Sequence, residues 1–330
     1  MRALVLQHYG EPLKATEIAK PTPRRGEVLV RIKASGLNPL DCKIQAGSPS
    51  AAHAQVTLPA VLGIDLAGVV EAVGPNVTAF EPGDEVYGMT GGVGGLQGSL
   101  AEFASVDADL LALKPANLGM REAAAMPLIF ITAWEGLIDH ARLRAETSVL
   151  VHGGAGGVGS MAVQLARARG AAVFATDRPD RLETIAALGA TPIDYTTTAV
   201  EDYVATHTAG EGFDVVYDTI GGPSLDAAFT AVRAYEGRVV SSLGFGTHAL
   251  APLSFRAATY SGVYTLLPML TGKGRARHGA ILREAAKLVE NGLLRPLLDE
   301  RSFTLETVGE AYAALEAGTL HGKAVVTLDD

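Results

Sequence analysis

The stretch that decides the fold is residues 148–170, SVLVHGGAGGVGSMAVQLARARG. An apolar run at Ser148–Val151 leads directly into Gly154-x-Gly156-x-x-Gly159, and a helical pattern follows. In such a unit the first glycine permits a tight turn, the second lets backbone approach a pyrophosphate, and the third brings the helix against the strand. The start of the helix offers unpaired N–H groups to that pyrophosphate. The sequence therefore predicts a dinucleotide site built from Gly154, Ala155, Gly156, Gly157, Val158 and Gly159.

Charged residues after the next predicted strand bear on which dinucleotide binds. Asp177 stands where a carboxylate accepts hydrogen bonds from the ribose 2′-hydroxyl of NAD. Arg178 and Arg181 instead suit the 2′-phosphate of NADP, which arginines hold by forked, charge-assisted hydrogen bonds. A carboxylate about 4 Å from a phosphate charge costs on the order of 4 kcal/mol at an effective dielectric of 20. NADP thus requires Asp177 to turn away or to pair with an arginine. The pattern favours NADPH and leaves NADH open.

Outward from this stretch, short apolar strands alternate with helical patterns. The predicted strands are Ser148–Val151, Ala172–Ala175, Val215–Tyr217 and Arg238–Ser241. This alternation is typical of a parallel sheet with helices on both faces. Before Arg121 the pattern is different, since period-two strands are separated by turns rich in Gly and Pro. We therefore expect an α/β protein with a doubly wound domain and an antiparallel β domain.

Composition narrows the classes of function. The net charge of −9 argues against nucleic acid and anionic membranes as partners. The apolar, uncharged stretch between Arg256 and Lys273 is shorter than the roughly 20 apolar residues that span a bilayer. A single cysteine, Cys42, excludes an intrachain disulfide and a multi-cysteine zinc site, and it is more often a packing residue than a nucleophile. We expect a cytoplasmic protein.

Further motifs occur in order along the chain: 35–43 (SGLNPLDCK), 62–70 (LGIDLAGVV), 81–88 (EPGDEVYG), 188–190 (LGA), 213–222 (FDVVYDTIGG) and 322–326 (GKAVV). Together with the Gly-rich turn they resemble the medium-chain dehydrogenase/reductase superfamily. The closest likeness is to its zinc-independent quinone oxidoreductase, or zeta-crystallin-like, branch, over essentially the full length. The resemblance implies a GroES-like β-barrel catalytic domain at residues 1–121 and 262–330. A Rossmann dinucleotide-binding domain at 122–261 is inserted into it.

The resemblance also bears on metal. Where the zinc alcohol dehydrogenases of this superfamily carry a catalytic cysteine, this chain has Asn38. Their His-Glu pair corresponds to Ile64-Asp65, and the third ligand position to Leu128. These residues do not make a three-ligand zinc site, so the sequence predicts no bound metal.

Without a Lewis acid, a carbonyl conjugated to C=C accepts hydride more readily than a simple ketone, because conjugation spreads the developing charge. We therefore expect a small hydrophobic conjugated carbonyl as substrate: a quinone, enone or enal. By resemblance Asn38, Asp41 and Lys43 are the candidate catalytic residues, with Lys43 donating to the enolate oxygen and Asp41 orienting it. The alternative is that Asn38-Pro39 is only a turn and Asp41–Lys43 a solvated pair.

Five more residues are candidate cofactor contacts. Thr132 resembles a threonine below the nicotinamide, and its alternative is a satisfied buried hydroxyl. Tyr195 is placed near the adenosine ribose, or is a surface tyrosine. Ser242 and Gly244 end a parallel strand, where a cofactor crevice is expected. Lys323 resembles a late lysine near the cofactor, or is solvated.

Two alternatives of function stay open at this point: an enoyl-thioester reductase, and a dinucleotide-binding protein with a structural or sensory role. The apolar, β-prone segment from Thr259 to Leu267 predicts a homodimer, because the corresponding strand of the resembling proteins pairs across a dimer axis and covers a sheet edge.

Overall fold

The computed structural model describes residues 1–328. These residues form two compact units. One unit comprises Met1–Leu128 and the segment from Leu266 onward, and the other is Ile129–Thr265. The sequence-based boundaries, at 121/122 and 261/262, lie a few residues earlier at both places. Among the described residues, no helix is both long and apolar enough to cross a membrane.

The second unit is built on one six-stranded parallel sheet. Its strand order is β11-β10-β9-β12-β13-β14. The strands are β9 (Ser148–His152), β10 (Ala172–Asp177), β11 (Thr191–Asp194), β12 (Val215–Asp218), β13 (Arg238–Ser241) and β14 (Thr259–Gly262). The helices are α3 (Pro127–Trp134, beginning two residues before the unit), α4 (Gly157–Ala168), α5 (Leu182–Ala187), α6 (Val200–Thr208), α7 (Pro223–Ala231) and α8 (Ala251–Phe255). A π-helical turn, Glu135–His140, continues α3.

The burial of the central strands is typical of a parallel sheet that helices cover on both faces. All four residues of β12 are buried, as are the last four of β9, so these central strands carry apolar side chains towards both faces. One side packs around Phe213, Phe229 and Leu225, which are almost completely buried. The predicted doubly wound α/β architecture is confirmed.

The first unit is mainly antiparallel. One sheet has the order β2-β1-β4, and the other β15-β3-β5-β6-β8 with β7 also paired to β3. The strands are β1 (Arg2–Leu6), β2 (Lys14–Glu17), β3 (Glu27–Gly36), β4 (Ala60–Val61), β5 (Asp65–Val73), β6 (Glu85–Met89), β7 (Phe103–Asp107), β8 (Leu111–Leu113) and β15 (Val325–Thr327). The helices are α1 (Pro39–Gln45), α2 (Met120–Ala124), α9 (Leu267–Thr271), α10 (Arg275–Glu290) and α11 (Val308–Glu316).

Two features of this unit position candidate residues. β3 pairs with both β5 and the late strand β15, with Gly36 opposite Asp65 on one side and opposite Val325 on the other. The chain then leaves β3 and enters α1 at Pro39, a residue whose fixed φ suits the first helical position. The end of β3, the start of α1 and the approach to β15 therefore meet at one place.

The predicted strand from Thr259 to Leu267 is shorter than expected. β14 ends at Gly262, and Leu267 begins α9. Pro268 at the second position of α9 fits a helix start, which the apolar pattern alone did not reveal.

Candidate functional site

The Gly-rich turn lies between β9 and α4, as predicted. The structural roles of its glycines differ from the predicted ones. The left-handed bend is made by Gly153, at φ +74°, one residue before the motif. Gly154 is needed for close packing instead, because a Cβ there would lie 2.5 Å from the Cβ of Ala175 on β10. The expectation that Gly154 permits the tight turn was therefore wrong. The signal for Gly153 was present as the first glycine of a Gly-Gly pair.

The other two motif glycines behave as expected of a cradle. A Cβ on Gly159 would lie 2.0 Å from the carbonyl oxygen of Gly153, so this glycine lets α4 pack on the turn. Gly156 is exposed, and a Cβ there would meet only the Gly153 oxygen, at 3.2 Å. The α4 helix begins at Gly157, and Gly157 and Val158 are only partly buried. Open backbone at the start of a twelve-residue helix fits a pyrophosphate.

Asp177, at the end of β10, is directed at backbone. Its Oδ2 accepts from the amide of Ala155 at 3.0 Å, and its Oδ1 accepts from the amide of Arg178 at 2.9 Å. The carboxylate therefore holds the middle of the Gly-rich turn. The Arg178 side chain is about half exposed at 51%, and its Nη2 lies 3.6 Å from Oδ2 of Asp180. Arg178 is thus available at the surface beside the turn.

The remaining candidates of this unit lie along the carboxyl ends of its strands. Tyr195 follows β11 directly and is 54% exposed. Ser242 directly follows β13, and the buried phenol of Tyr217, whose pKa is raised by burial, lies on the neighbouring strand β12. That phenol donates to the carbonyl oxygen of Thr132 at 2.8 Å, so the Thr132 backbone lies beside β12. Gly244 gives room to another side chain, since a Cβ there would lie 2.1 Å from the Tyr260 hydroxyl.

A second cluster lies in the first unit, around Asn38. The side chain of Asn38 is 1% exposed and is held on every side. Its Nδ2 donates to Oδ2 of Asp65 at 3.0 Å and to the Gly36 carbonyl at 3.4 Å. Its Oδ1 accepts from Nζ of Lys323 at 2.5 Å. Asn38 is thus the centre of a buried network, and its amide is not aimed at a ligand.

Lys323 and two carboxylates complete this cluster. Nζ of Lys323 also donates to the Leu37 carbonyl at 2.6 Å and lies 3.8 Å from Oδ2 of Asp65. Oδ1 of Asp65 accepts from the amide of Leu128 at 2.9 Å. Oδ2 of Asp41 accepts from the amide of Asn38 at 2.7 Å. The alternatives of a solvated Lys323 and a solvated Asp41 are both wrong, because these side chains are 6% and 0% exposed.

Burial dominates the electrostatics of the cluster. It raises the pKa of Asp41 to about 7, against the opposing effects of the Asn38 amide and Lys323. It raises the pKa of Asp65 to about 6, with Lys323 and Asn38 opposing. The pKa of Lys323 is lowered by burial, although the two carboxylates favour its charged form. The cluster can therefore take up or release a proton close to neutral pH.

The structure does not bring Lys43 into this cluster. Asp41 and Lys43 are both on α1, but Asp41 is buried and Lys43 is exposed. Asp41 is engaged with the Asn38 amide, so the predicted orientation of Lys43 by Asp41 has no support in this arrangement. Cys42, which lies between these two residues in the sequence, is buried. Burial raises the pKa of its thiol to about 12, as expected of a packing residue.

Comparison with known proteins identifies the family. Residues 24–116 match the model for the alcohol dehydrogenase GroES-like domain, and residues 188–326 the model for zinc-binding dehydrogenase. The chain is 36% identical to the NADPH-dependent alkenal/one oxidoreductase, chloroplastic, of Arabidopsis thaliana, with 99% of this chain and 79% of that protein covered. It is 30% identical to the quinone oxidoreductase of Homo sapiens, with 99% and 98% covered. The chain belongs to the medium-chain dehydrogenase/reductase family.

A solved member of the family has nearly the same fold. An alcohol dehydrogenase superfamily protein from Novosphingobium aromaticivorans is 55% identical over all of both chains, with a TM-score of 0.97. Together with the named relatives, this confirms the resemblance that the sequence motifs indicated, including the quinone oxidoreductase branch of the medium-chain dehydrogenase/reductases.

The donor set in this medium-chain dehydrogenase/reductase does not fit a catalytic zinc ion. At the positions where zinc dehydrogenases carry ligands stand Asn38, buried Ile64 and Leu128, none of which offers a thiolate or imidazole. Both oxygens of Asp65 already accept hydrogen bonds, and the Lys323 ammonium lies beside them. Among residues 1–328 no group of three or more His, Cys, Asp or Glu side chains is arranged to hold a metal ion.

Sequence reasoning missed Asp65 as a site residue. The available signal was its position: an acid directly after Gly63-Ile64, where zinc dehydrogenases carry His-Glu. An ionisable residue on a buried strand needs a partner, and the structure supplies Lys323 and Asn38. Asp65 therefore belongs with the residues that hold α1 in place.

Proposed function

We propose that this protein is a zinc-independent reductase that transfers hydride from NADPH to a conjugated carbonyl compound, an enone, enal or quinone. The observation that carries the proposal is the open backbone at Gly156–Val158, where α4 begins directly after a buried parallel strand. Two relatives named for alkenal/one and quinone reduction support the substrate class.

The surroundings of the turn favour NADPH over NADH. Both oxygens of the Asp177 carboxylate accept from backbone amides, those of Ala155 and Arg178, which offsets part of the repulsion between this acid and a 2′-phosphate. The half-exposed guanidinium of Arg178 offers that phosphate a charged partner. One relative is named as NADPH-dependent. Within the proposal Tyr195, Thr132, Ser242 and Gly244 line the remainder of the dinucleotide site.

NADPH, when bound, supplies the hydride for the β-carbon of the substrate, or for a quinone. The task left to the protein is to favour negative charge on the substrate oxygen and to hold the reactants. We assign the first part to the exposed ammonium of Lys43. The start of α1 is held by hydrogen bonds among Asn38, Asp41 and Lys323. These three residues therefore contribute by positioning the helix that carries Lys43.

The direct test follows NADPH absorbance during reaction with matched compounds. The panel comprises a small enone, an enal, a benzoquinone and an enoyl-CoA, with the saturated ketone as the negative control. We expect oxidation with the conjugated carbonyls and none with the saturated ketone. Faster turnover of the enoyl-CoA would favour an enoyl-thioester reductase. Tight NADPH binding without turnover of any compound would favour a structural or sensory role.

The role of Lys43 is tested by Lys43→Met. Removal of a donor that acts on the developing oxyanion should lower kcat/KM for an enone about 100-fold, a loss of about 2.7 kcal/mol of transition-state stabilisation. Lys33→Met is a control for removal of a lysine outside α1. An unchanged kcat/KM in Lys43→Met would remove this residue from the mechanism.

A homodimer and a cytoplasmic location are further parts of the proposal. β14 is the last strand of its sheet and pairs with β13 alone among the described strands, so its outer edge is available for a second copy. Light scattering at micromolar protein should give twice the mass of the chain. A monomer mass would contradict the dimer without affecting the assigned reaction.

A further inference from the structure

The Rossmann unit contains a buried carboxylate, Asp218, for which the proposed reaction has no use. Asp218 is the last residue of β12 and is 0% exposed. It lies 4.0 Å from Nδ1 of His152, whose pKa is lowered by burial, so the histidine is neutral at pH 7. The carboxylate is therefore stabilised chiefly by neutral donors.

Those donors come from the loop that follows β12 and from β13. Gly221 donates its amide to both oxygens of Asp218, at 3.2 and 3.0 Å, and Ile220 donates to Oδ1 at 3.3 Å. The hydroxyl of Ser241 donates to Oδ2 at 2.7 Å. Both oxygens are thus used, and two of the three donating groups are backbone amides of the segment Thr219–Gly222.

This segment is packed tightly on both sides. Gly221 has φ +79°, and a Cβ there would lie 2.5 Å from the Leu243 carbonyl oxygen. On the other side the segment contacts the residue that makes the bend of the Gly-rich turn. A Cβ on Gly153 would lie 2.6 Å from Cδ1 of Ile220 and 2.9 Å from Oγ1 of Thr219.

A hydrogen bond fastens the same contact. Oγ1 of Thr219 donates to the carbonyl of His152 at 2.7 Å, the residue directly before Gly153. β9, β12 and β13 are neighbours in the sheet, so their carboxyl ends meet here. Two elements therefore fix the position of the Gly-rich turn. One is β9, which leads into it, and the other is Thr219–Gly222, which Asp218 holds against Gly153.

We propose that Asp218 is a positioning residue for the dinucleotide site: its carboxylate holds Thr219–Gly222 against Gly153 and so keeps the Gly-rich turn in the shape that binds pyrophosphate. This inference rests on the proposed function. An amide cannot replace the acid, because Asn offers one acceptor oxygen where Asp218 uses two. In either orientation its NH₂ would face the N–H of Gly221, which donates to both oxygens of Asp218.

The test is Asp218→Asn, with Asp214→Asn as the matched control. Asp214 precedes the same strand at its opposite end, where its partly exposed carboxylate accepts from Ser148 and from its ion-pair partner Arg233, away from the Gly-rich turn. NADPH affinity is measured by fluorescence titration of the full-length protein, and thermal stability by circular dichroism. We expect Asp218→Asn to raise the Kd and the KM for NADPH at least tenfold, with kcat at saturating NADPH within about threefold of the unaltered protein.

Asp214→Asn should lower the melting temperature and leave the Kd within twofold. Unchanged NADPH affinity in Asp218→Asn would overturn the inference, and so would equal weakening in both variants, because that would be a general effect of stability. If Asp218→Asn does not fold, Thr219→Val removes the single bond to His152, and a Kd within twofold of the unaltered protein would overturn the inference. Failure of the unaltered protein to bind NADPH would instead refute the proposed function.

Discussion

Replacement of Gly156 by Ala separates binding from folding. Gly156 has φ −72° and ψ 174°, which alanine adopts without strain. The added methyl would meet only the Gly153 oxygen, at 3.2 Å, so a shift of a few tenths of an ångström suffices. We expect a loss of about 1 kcal/mol in the free energy of unfolding, since alanine is a clearly poorer N-cap than glycine.

The effect on NADPH should be much larger. The methyl enters the open face of the turn, where the pyrophosphate must approach the backbone. A hydrogen bond to a charged group contributes about 1.5–3 kcal/mol, so loss of one raises Kd between about ten- and about a hundredfold. Gly159→Ala is the contrasting variant, because its methyl would lie 2.0 Å from the Gly153 oxygen and forces α4 away from the turn. That variant should lose stability by about 3 kcal/mol as well as affinity.

The assay is titration of NADPH fluorescence, with urea denaturation of the same samples. Gly156→Ala should show weak binding in a protein of nearly unchanged stability. If it bound NADPH as tightly as the unaltered protein, the pyrophosphate would not lie against this backbone and the reasoning would fail. A large loss of stability in Gly156→Ala would refute the description of its surroundings.

Three further substitutions test the charged side chains of the Gly-rich turn and of the buried cluster. Arg178→Ala should raise the KM for NADPH about tenfold and leave that for NADH unchanged, since one charge-assisted bond to the 2′-phosphate is lost; equal effects in initial-rate measurements would contradict this. Lys323→Met should lower the free energy of unfolding by about 3 kcal/mol at pH 8, because Asp65 then keeps a buried charge without its cation. At pH 5 the loss should be smaller, because Asp65 can be protonated there. Urea denaturation at both pH values measures the difference. The folded pKa of Asp41 is raised from 3.8 to about 7, so its stabilising effect is full below pH 4 and is lost as pH rises through 7. The free energy of unfolding of Asp41→Asn, minus that of the unaltered protein, should therefore rise by about 2 kcal/mol between pH 5 and pH 7. The same difference at both pH values would contradict this.

The sequence predicted the parallel sheet well because its signals are local. Apolar runs and the glycine spacing lie within a few residues of each other, and the strand starts at Ser148, Ala172, Val215 and Arg238 were predicted correctly. Three strands, however, end one or two residues later than predicted, at His152, Asp177 and Asp218. A strand predicted from its apolar residues ends before the first polar residue. At the carboxyl edge of a parallel sheet the polar residues that arrange the site still belong to the strand.

The buried cluster of the first unit could not be predicted in the same way. Lys323 and Asn38 are 285 residues apart in the sequence, and no spacing rule connects them. The resemblance drew attention to both residues, but it suggested that each faces a ligand. Their actual contacts follow from desolvation, because a buried ammonium and buried carboxylates must find one another inside the unit. Asp65, which binds both of them, lies in an apolar strand-like run, and nothing in that pattern shows that its carboxylate faces Lys323 and Asn38.

The bond from Lys323 to Asn38 also has a consequence for synthesis of the chain. β3, β5 and α1 emerge from the ribosome early, yet Lys323, the cation that Asp65 and Asn38 bind, follows Asn38 by 285 residues and lies just before β15. Until then the carboxylates of Asp41 and Asp65 have their amide donors but not their cation, whereas the strands of Ile129–Thr265 are already complete. A chain released before Lys323 is translated therefore lacks the cation of the buried cluster, and its first unit cannot complete that cluster.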